Sequence, residues 1–139
     1  MYVLILFLNT INMSKEEIIN KSENEWRNEL TPEEYQICRM KGTEPVLTGK
    51  YWNSKDYGIS KCVCCGNNLF SSETLFNSGT GWSSFFAPIN KENVELKLDT
   101  SYGMNRIEVR CKKCQGHLGH VLMMAQISRE VGFVSILPH

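Results

Sequence analysis

The sequence predicts a mainly β domain, its strands mostly antiparallel, with short helices on the N-terminal side and a metal clamp joining distant segments. Three observations carry that expectation. Helix-start signals are confined to the first part of the chain, whereas from Val46 onward the runs are short, alternating and broken by turn residues. Four of the cysteines fall into two C-x-x-C pairs.

The elements follow in order. Residues 1–8 are apolar but too short to span a bilayer, with no basic residue before them and no small-residue cleavage site after them, so neither a membrane segment nor an export signal is expected there. Met13 precedes S-K-E-E, a good helix start, so residues 1–13 are expected to be an extension outside the fold and residues 14–139 a single domain. Ser14 with Glu17 forms one capping box, and Thr31, Pro32 and Glu34 form a second with proline at the first helical position, where its missing N–H costs nothing. That second helix is expected to stop at Gly42. Beyond it, V-E-L-K-L (94–98) and R-I-E-V-R-C (106–111) alternate at period two, and Gly49, Gly58, Asn67, Asn68 and Gly103 separate the runs as turn residues. There is no internal repeat or low-complexity linker.

Cys62 and Cys65 lie in C-V-C-C-G, Cys111 and Cys114 in C-K-K-C-Q-G. Gly66 and Gly116 let each turn curl so that backbone N–H groups can point at the thiolates. Four thiolates and no histidine describe a closed tetrahedral site, hence a structural zinc ion. The rival reading, two disulfides, needs an oxidising compartment, and without an export signal the protein is expected to be cytoplasmic with reduced thiols. Four unrelated buried cysteines would not give two pairs each closely followed by glycine. The stretch between the pairs is longer than a zinc-ribbon loop, so the metal should clamp a domain and not fold a finger alone.

Composition narrows the function classes. The chain of 139 residues is 42% hydrophobic with three tryptophans, enough for one core. Fifteen acidic and fifteen basic residues cancel, and no segment is dominated by basic ones, which argues against a nucleic-acid partner and against a zinc-ribbon transcription module. No membrane partner is expected, and the chain is expected to be a monomer.

Two further segments carry chemistry. In S-G-T-G-W-S-S-F (78–85) glycines bracket a threonine and then present an indole. Trp82 suits a ligand wall, or the core, where large aromatics mostly sit. In H-L-G-H, directly after the second cysteine pair, His117 and His120 lack a carboxylate close by in sequence, which disfavours a second metal. Acid–base or orienting roles suit them better, because the adjacent knuckle holds their backbone rigid.

Taken together, W-R-x-x-L-T-P-E-x-Y (26–35), K-G-T-E-P (41–45), C-x-C-C-G-x-x-L-F-S-S-E-T (62–74), S-G-T-G-W-x-S-F, Y-G-M-x-R-x-E-V-R-C (102–111) and C-x-G-H-L-G-H-V (114–121) resemble the methionine sulfoxide reductase B family over residues 26–121. The resemblance implies two antiparallel β-sheets behind N-terminal helices, zinc at Cys62, Cys65, Cys111 and Cys114, and reduction of the R epimer of methionine sulfoxide in peptides and proteins. It also implies that Trp82 is the methyl-pocket indole and that His117 and His120 position the polar sulfoxide group or water and assist proton transfer. Ser83 stands where the family usually has proline. Thr80 stands where some members carry a resolving cysteine, so recycling would come from an external thiol such as thioredoxin or from another cysteine.

The nucleophile departs from the family pattern. The family's attacking cysteine lies beyond H-L-G-H-V in R-[YF]-C-[IV]-N-S, whereas this chain has no cysteine after Cys114. Cys38, in the expected second helix, and Cys64, inside the first knuckle, are better read as structural. Reading residues 122–139 in the displaced frame, each codon taking the third base of one residue and the first two of the next, permits Asp-Asp-Gly-Pro-Asn-Phe-Thr-Gly, then serine or glycine, then Arg-Phe-Cys, then isoleucine or valine, then Asn-Ser-Ala. The cysteine codon would straddle Phe133 and Val134. The inference is a shifted frame near Leu122 that removes the thiolate, although V-G-F-V-S-I-L keeps enough β-branched content to add a strand. Two functions follow: a methionine-R-sulfoxide reductase whose activity belongs to the in-frame product, or a catalytically silent zinc domain that binds oxidised-methionine or apolar peptides.

Overall fold

The computed structural model describes residues 18–43, 57–123 and 131–135, with residues 122–123 and the last run described by their backbone pairing. The expected extension at residues 1–13, the capping box at Ser14 and Glu17, and the turn at Gly49 lie outside the described residues.

Helix α1 (Glu23–Glu29) starts from a box that the sequence reading passed over: Ser22 Oγ accepts from Glu25 N–H while the Glu25 carboxylate accepts from Ser22 N–H. Residues 18–22 are not helical. The Ile19 N–H is tied instead to the Lys113 carbonyl at 2.8 Å, which pins this stretch against the second cysteine knuckle. Helix α2 (Pro32–Cys38) has the expected box of Thr31 and Glu34 with Pro32 in its first turn. It ends before Gly42, because Met40 N–H and Gly42 N–H fold back on the Tyr35 and Gln36 carbonyls and Lys41 takes a left-handed φ of 55°. Gly42 is required for that closure, since a Cβ there would lie 2.8 Å from the Gln36 carbonyl oxygen. The helices dock through Trp26, Leu30 and Ile37, with Lys21 and Arg39 each 4.9 Å from the centre of the buried Trp26 ring.

The remainder is antiparallel sheet. Strands β1 (Ile59–Lys61) and β2 (Asn68–Ser71) form a two-stranded sheet, so Asn68 opens a strand and does not serve as a turn residue. Strands β3 (Leu75–Phe76), β4 (Ser84–Phe85), β5 (Val94–Asp99), β6 (Arg106–Cys111), β7 (His117–Met123) and β8 (Val131–Ser135) form a second sheet in the order β3-β4-β8-β7-β6-β5. The two alternating runs of the sequence are β5 and β6. The divergent tail does supply a strand, and β8 sits in the interior of the sheet between β4 and β7.

The two sheets meet over Leu69, Phe70, Phe85, Val94, Val109 and Leu118. Phe70 of the small sheet stacks on Phe85 of the large one with ring centres 4.7 Å apart. Such a pair adds roughly 1 kcal/mol beyond the area it buries.

Candidate metal centre and active site

Each cysteine knuckle is a hairpin turn, the first joining β1 to β2 and the second joining β6 to β7. Their backbones follow one pattern. Cys62 N–H donates to the Asn67 carbonyl and Gly66 N–H to the Cys62 carbonyl; Cys111 N–H donates to the Gly116 carbonyl and Gln115 N–H to the Cys111 carbonyl. The left-handed position is therefore Gly66 (φ 74°) in one knuckle and Gln115 (φ 62°) in the other. Gly66 N–H is spent on a backbone carbonyl, and backbone N–H groups reach sulfur, as expected from sequence, from Asn67 to Cys65 and from Cys114 to Cys111. Gly116 N–H also reaches Cys114 Sγ at 3.4 Å, and a Cβ on Gly116 would sit 3.3 Å from Cys114 Sγ and 3.5 Å from Cys64 Sγ.

One pair comes from each sheet, and all four sulfurs, of Cys62, Cys65, Cys111 and Cys114, lie within 4.8 Å of one another. Cys62 to Cys114 and Cys65 to Cys111 are both 3.6 Å. A tetrahedral ion with metal–sulfur bonds of about 2.3 Å needs sulfurs about 3.8 Å apart, so the spacing fits. The proton balance points the same way. Hydrogen bonds from Cys114, Cys62 and Cys65 pull the Cys111 thiol far down, and Cys111 in return is the main cause that pushes Cys62 and Cys65 up and Cys114 up to about 12. Ionisation at one sulfur thus comes at the expense of the other three, and four thiolates side by side require a cation.

Strand β7 presents His117 and His120 with ring centres 5.2 Å apart. The carboxylates absent from their sequence neighbourhood come from the adjoining strands. His120 Nε2 lies 2.7 Å from Asp99 Oδ2 of β5, and His117 Nδ1 stands 3.4 Å from Glu108 Oε1 of β6. Among the described residues neither His117 ring nitrogen makes a hydrogen bond, and the ring is almost wholly buried. Burial is the main cause that lowers the pKa of His117, opposed by the charge of Glu108 and aided by that of His120. For Glu108 burial opposes ionisation, but Lys41 Nζ at 2.8 Å and then His117 outweigh it and hold the carboxyl below its ordinary range. The hydrogen bond from His120, followed by Ser101, holds Asp99 well below the usual carboxylate range.

Sequence reasoning missed Asp99, Glu108, Lys41 and Arg106. A signal was present: Glu95, Lys97 and Asp99 alternate along β5 and pair in register with Arg110, Glu108 and Arg106 of β6, which puts a run of charges on one face. A pocket of about 440 Å³ opens beside this face, lined by Lys41, Gly42, Asp99, Ser101, Arg106 and His120 among others.

Trp82 is half-buried on the loop that leads into β4. That loop is held by hydroxyls: Ser78 Oγ and Thr80 Oγ1 are 2.7 Å apart, Ser84 Oγ donates to Ser78 Oγ at 2.7 Å, and Gly79 and Gly81 take left-handed φ values of 75° and 83°. Register places Ser84, Val134, His120, Glu108 and Lys97 in one row across β4, β8, β7, β6 and β5. The tryptophan loop therefore enters the sheet on the row that holds His120. Cys38 and Cys64 lie elsewhere, packed with Ile37 and Val63 beside the first knuckle.

Comparison with known proteins agrees with this arrangement. The SelR domain family matches residues 30–130. A protein named peptide methionine sulfoxide reductase MsrB from Acinetobacter baumannii (strain ATCC 17978) is 52% identical over 103 residues, covering 74% of this chain and 74% of its own. Proteins of the same name from Acinetobacter baylyi and from Synechococcus sp. (strain RCC307) are 54% and 52% identical over 103 residues, again covering 74% of this chain. The chain belongs to the methionine sulfoxide reductase B family.

Proposed function

We propose that the site takes the R epimer of methionine sulfoxide in peptides and proteins, and that the chain as written holds this substrate without reducing it. The observation that carries the reading is the row Ser84–Val134–His120. The cysteine codon of the displaced frame would straddle Phe133 and Val134, and Val134 is the register partner of His120. A sulfur there would stand across from the histidine that protonates the leaving oxygen. No cysteine follows Cys114, and Cys38 and Cys64 belong to the knuckle side of the domain.

The roles then divide by chemistry. Trp82 forms the apolar wall for the S-methyl group. His120 and His117 hold the polar S–O group and supply a proton. In the in-frame product the thiolate attacks the sulfoxide sulfur, the oxygen passes to the cysteine as a sulfenic acid, and the thioether is released. An external dithiol such as thioredoxin then reduces the sulfenic acid to thiol with loss of water, because Thr80 cannot form an internal disulfide. Cys62, Cys65, Cys111 and Cys114 would hold zinc, which suits an all-thiolate tetrahedral site and acts as a clamp between the sheets. Residues 14–139 act as one domain, a cytoplasmic monomer; among the described residues no helix is long and apolar enough to cross a membrane.

The test is dithiothreitol-driven reduction of a methionine-R-sulfoxide peptide by this chain and by the same chain with its tail restored in frame. The chain as written is expected to be at least roughly a thousandfold slower, since only binding and orientation remain. Comparable rates would overturn the reading and point to Cys64 or Cys38.

A further inference from the structure

We propose that Asp99 is a positioning residue that fixes His120 with Nε2–H turned to the β5 carboxylate, so that a bound sulfoxide oxygen is met by Nδ1–H of the imidazolium. This rests on the sulfoxide reading above.

The geometry is tightly determined. Asp99 is 5% exposed, and its two oxygens are both engaged: Oδ2 faces His120 Nε2 at 2.7 Å, and Oδ1 accepts from Ser101 N–H at 3.0 Å. Arg106, the register partner of Asp99, stands 3.5 Å from the same Oδ2. A carboxylate so held is ionised and can only accept, so the proton between the two groups belongs to Nε2. The other ring nitrogen, Nδ1, is then the only one left for a ligand.

A sulfoxide oxygen is also acceptor-only. A neutral His120 would turn an Nδ1 lone pair toward it, and two acceptors repel. Only the imidazolium donates at both nitrogens, one bond to Asp99 and one to the ligand. The charged and titratable neighbours leave room for it. Lys41 is matched to Glu108 and Arg106 to Asp99, while His117 is kept neutral by burial. With these pairs cancelled, a protonated His120 is one positive charge in surplus beside the pocket, which suits the negative oxygen of the S–O dipole.

Two measurements on the full chain test this. Ring ¹⁵N shifts of His120 above neutral pH are expected to show the Nε2–H tautomer, and Asp99→Asn is expected to give a mixture of tautomers. Titration with two N-acetylated peptides, one with methionine-R-sulfoxide and one with methionine, is expected to show that Asp99→Asn weakens the sulfoxide peptide about tenfold, the loss of one charge-assisted hydrogen bond. The thioether peptide should bind as before, and Asp99→Glu should restore the preference. A merely structural role for Asp99 would weaken both peptides alike and overturn the proposal, as would an Nδ1–H tautomer in the unaltered chain. If the unaltered chain does not prefer the sulfoxide peptide, the functional reading falls, and the ring tautomer, which needs no variant, decides the Asp99 assignment separately.

Discussion

Glu108 is a carboxylate 1% exposed on an interior strand of the large sheet, a placement that costs desolvation. Lys41 makes that burial tolerable from a side chain half open to water. Lys41→Met is therefore expected to cost about 1–2 kcal/mol, a value discounted for solvent screening, and the loss should shrink in a Glu108→Gln background when both are measured by urea unfolding. The same cluster sets the acid response. His117 has a folded pKa lowered from 6.5, so its contribution is complete above that value and is lost as pH falls through the lower folded value. Asp99 and Glu108 are likewise lowered, so their contributions are present above about pH 4 and are lost below it. Stability should fall in two stages on acidification, and His117→Asn should flatten the stage that begins below about pH 6.5 while leaving the carboxylate one, as read by melting temperature.

At the scale of elements, the two short helices depend on their first turns. Each has seven residues, too few to stand alone, and each is started by a reciprocal capping box. Ser22→Ala and Thr31→Ala should each lower stability by about 1 kcal/mol and together by nearly the sum, since the caps share no partner. Strand β8 bears on the proposed chemistry through register. Val134→Cys returns a thiol to the row of His120 and Ser84, whereas Phe133→Cys puts one on the neighbouring row with Val121 and Phe85. Dithiothreitol-dependent reduction of the R-sulfoxide peptide is expected to appear in the first variant, roughly tenfold above the second, because a thiol on the wrong face of a strand has no approach to the histidines.

For the whole molecule the four-cysteine cluster is the joint between the sheets, one hairpin turn from each. Zinc content of about one per chain is expected. Removing it with a chelator, or breaking the site by Cys111→Ala, should remove at least about 3 kcal/mol and lower the melting temperature by roughly 10 °C, with both sheets lost in one transition because their shared core is opened. A protein that contains no zinc and melts unchanged in chelator would instead favour disulfides in the knuckles.

What the sequence determined by itself was local chemistry. The second capping box, the alternation of β5 and β6, the C-x-x-C knuckles and the β-branched tail all work through neighbours a few residues apart, where hydrogen-bond geometry and side-chain period act directly. The box at Ser22 and Glu25 was passed over because Ser14–Glu17 carries the same local signal eight residues earlier, and the pinning of Ile19 by Lys113 is a contact between distant segments. Only tertiary structure decided that each knuckle belongs to a different sheet, that His120 meets Asp99 and His117 faces Glu108, and that Val134 shares a row with His120. These are matters of strand order and register, which depend on how separate hairpins pack into one sheet and leave no trace in the spacing of residues along the chain.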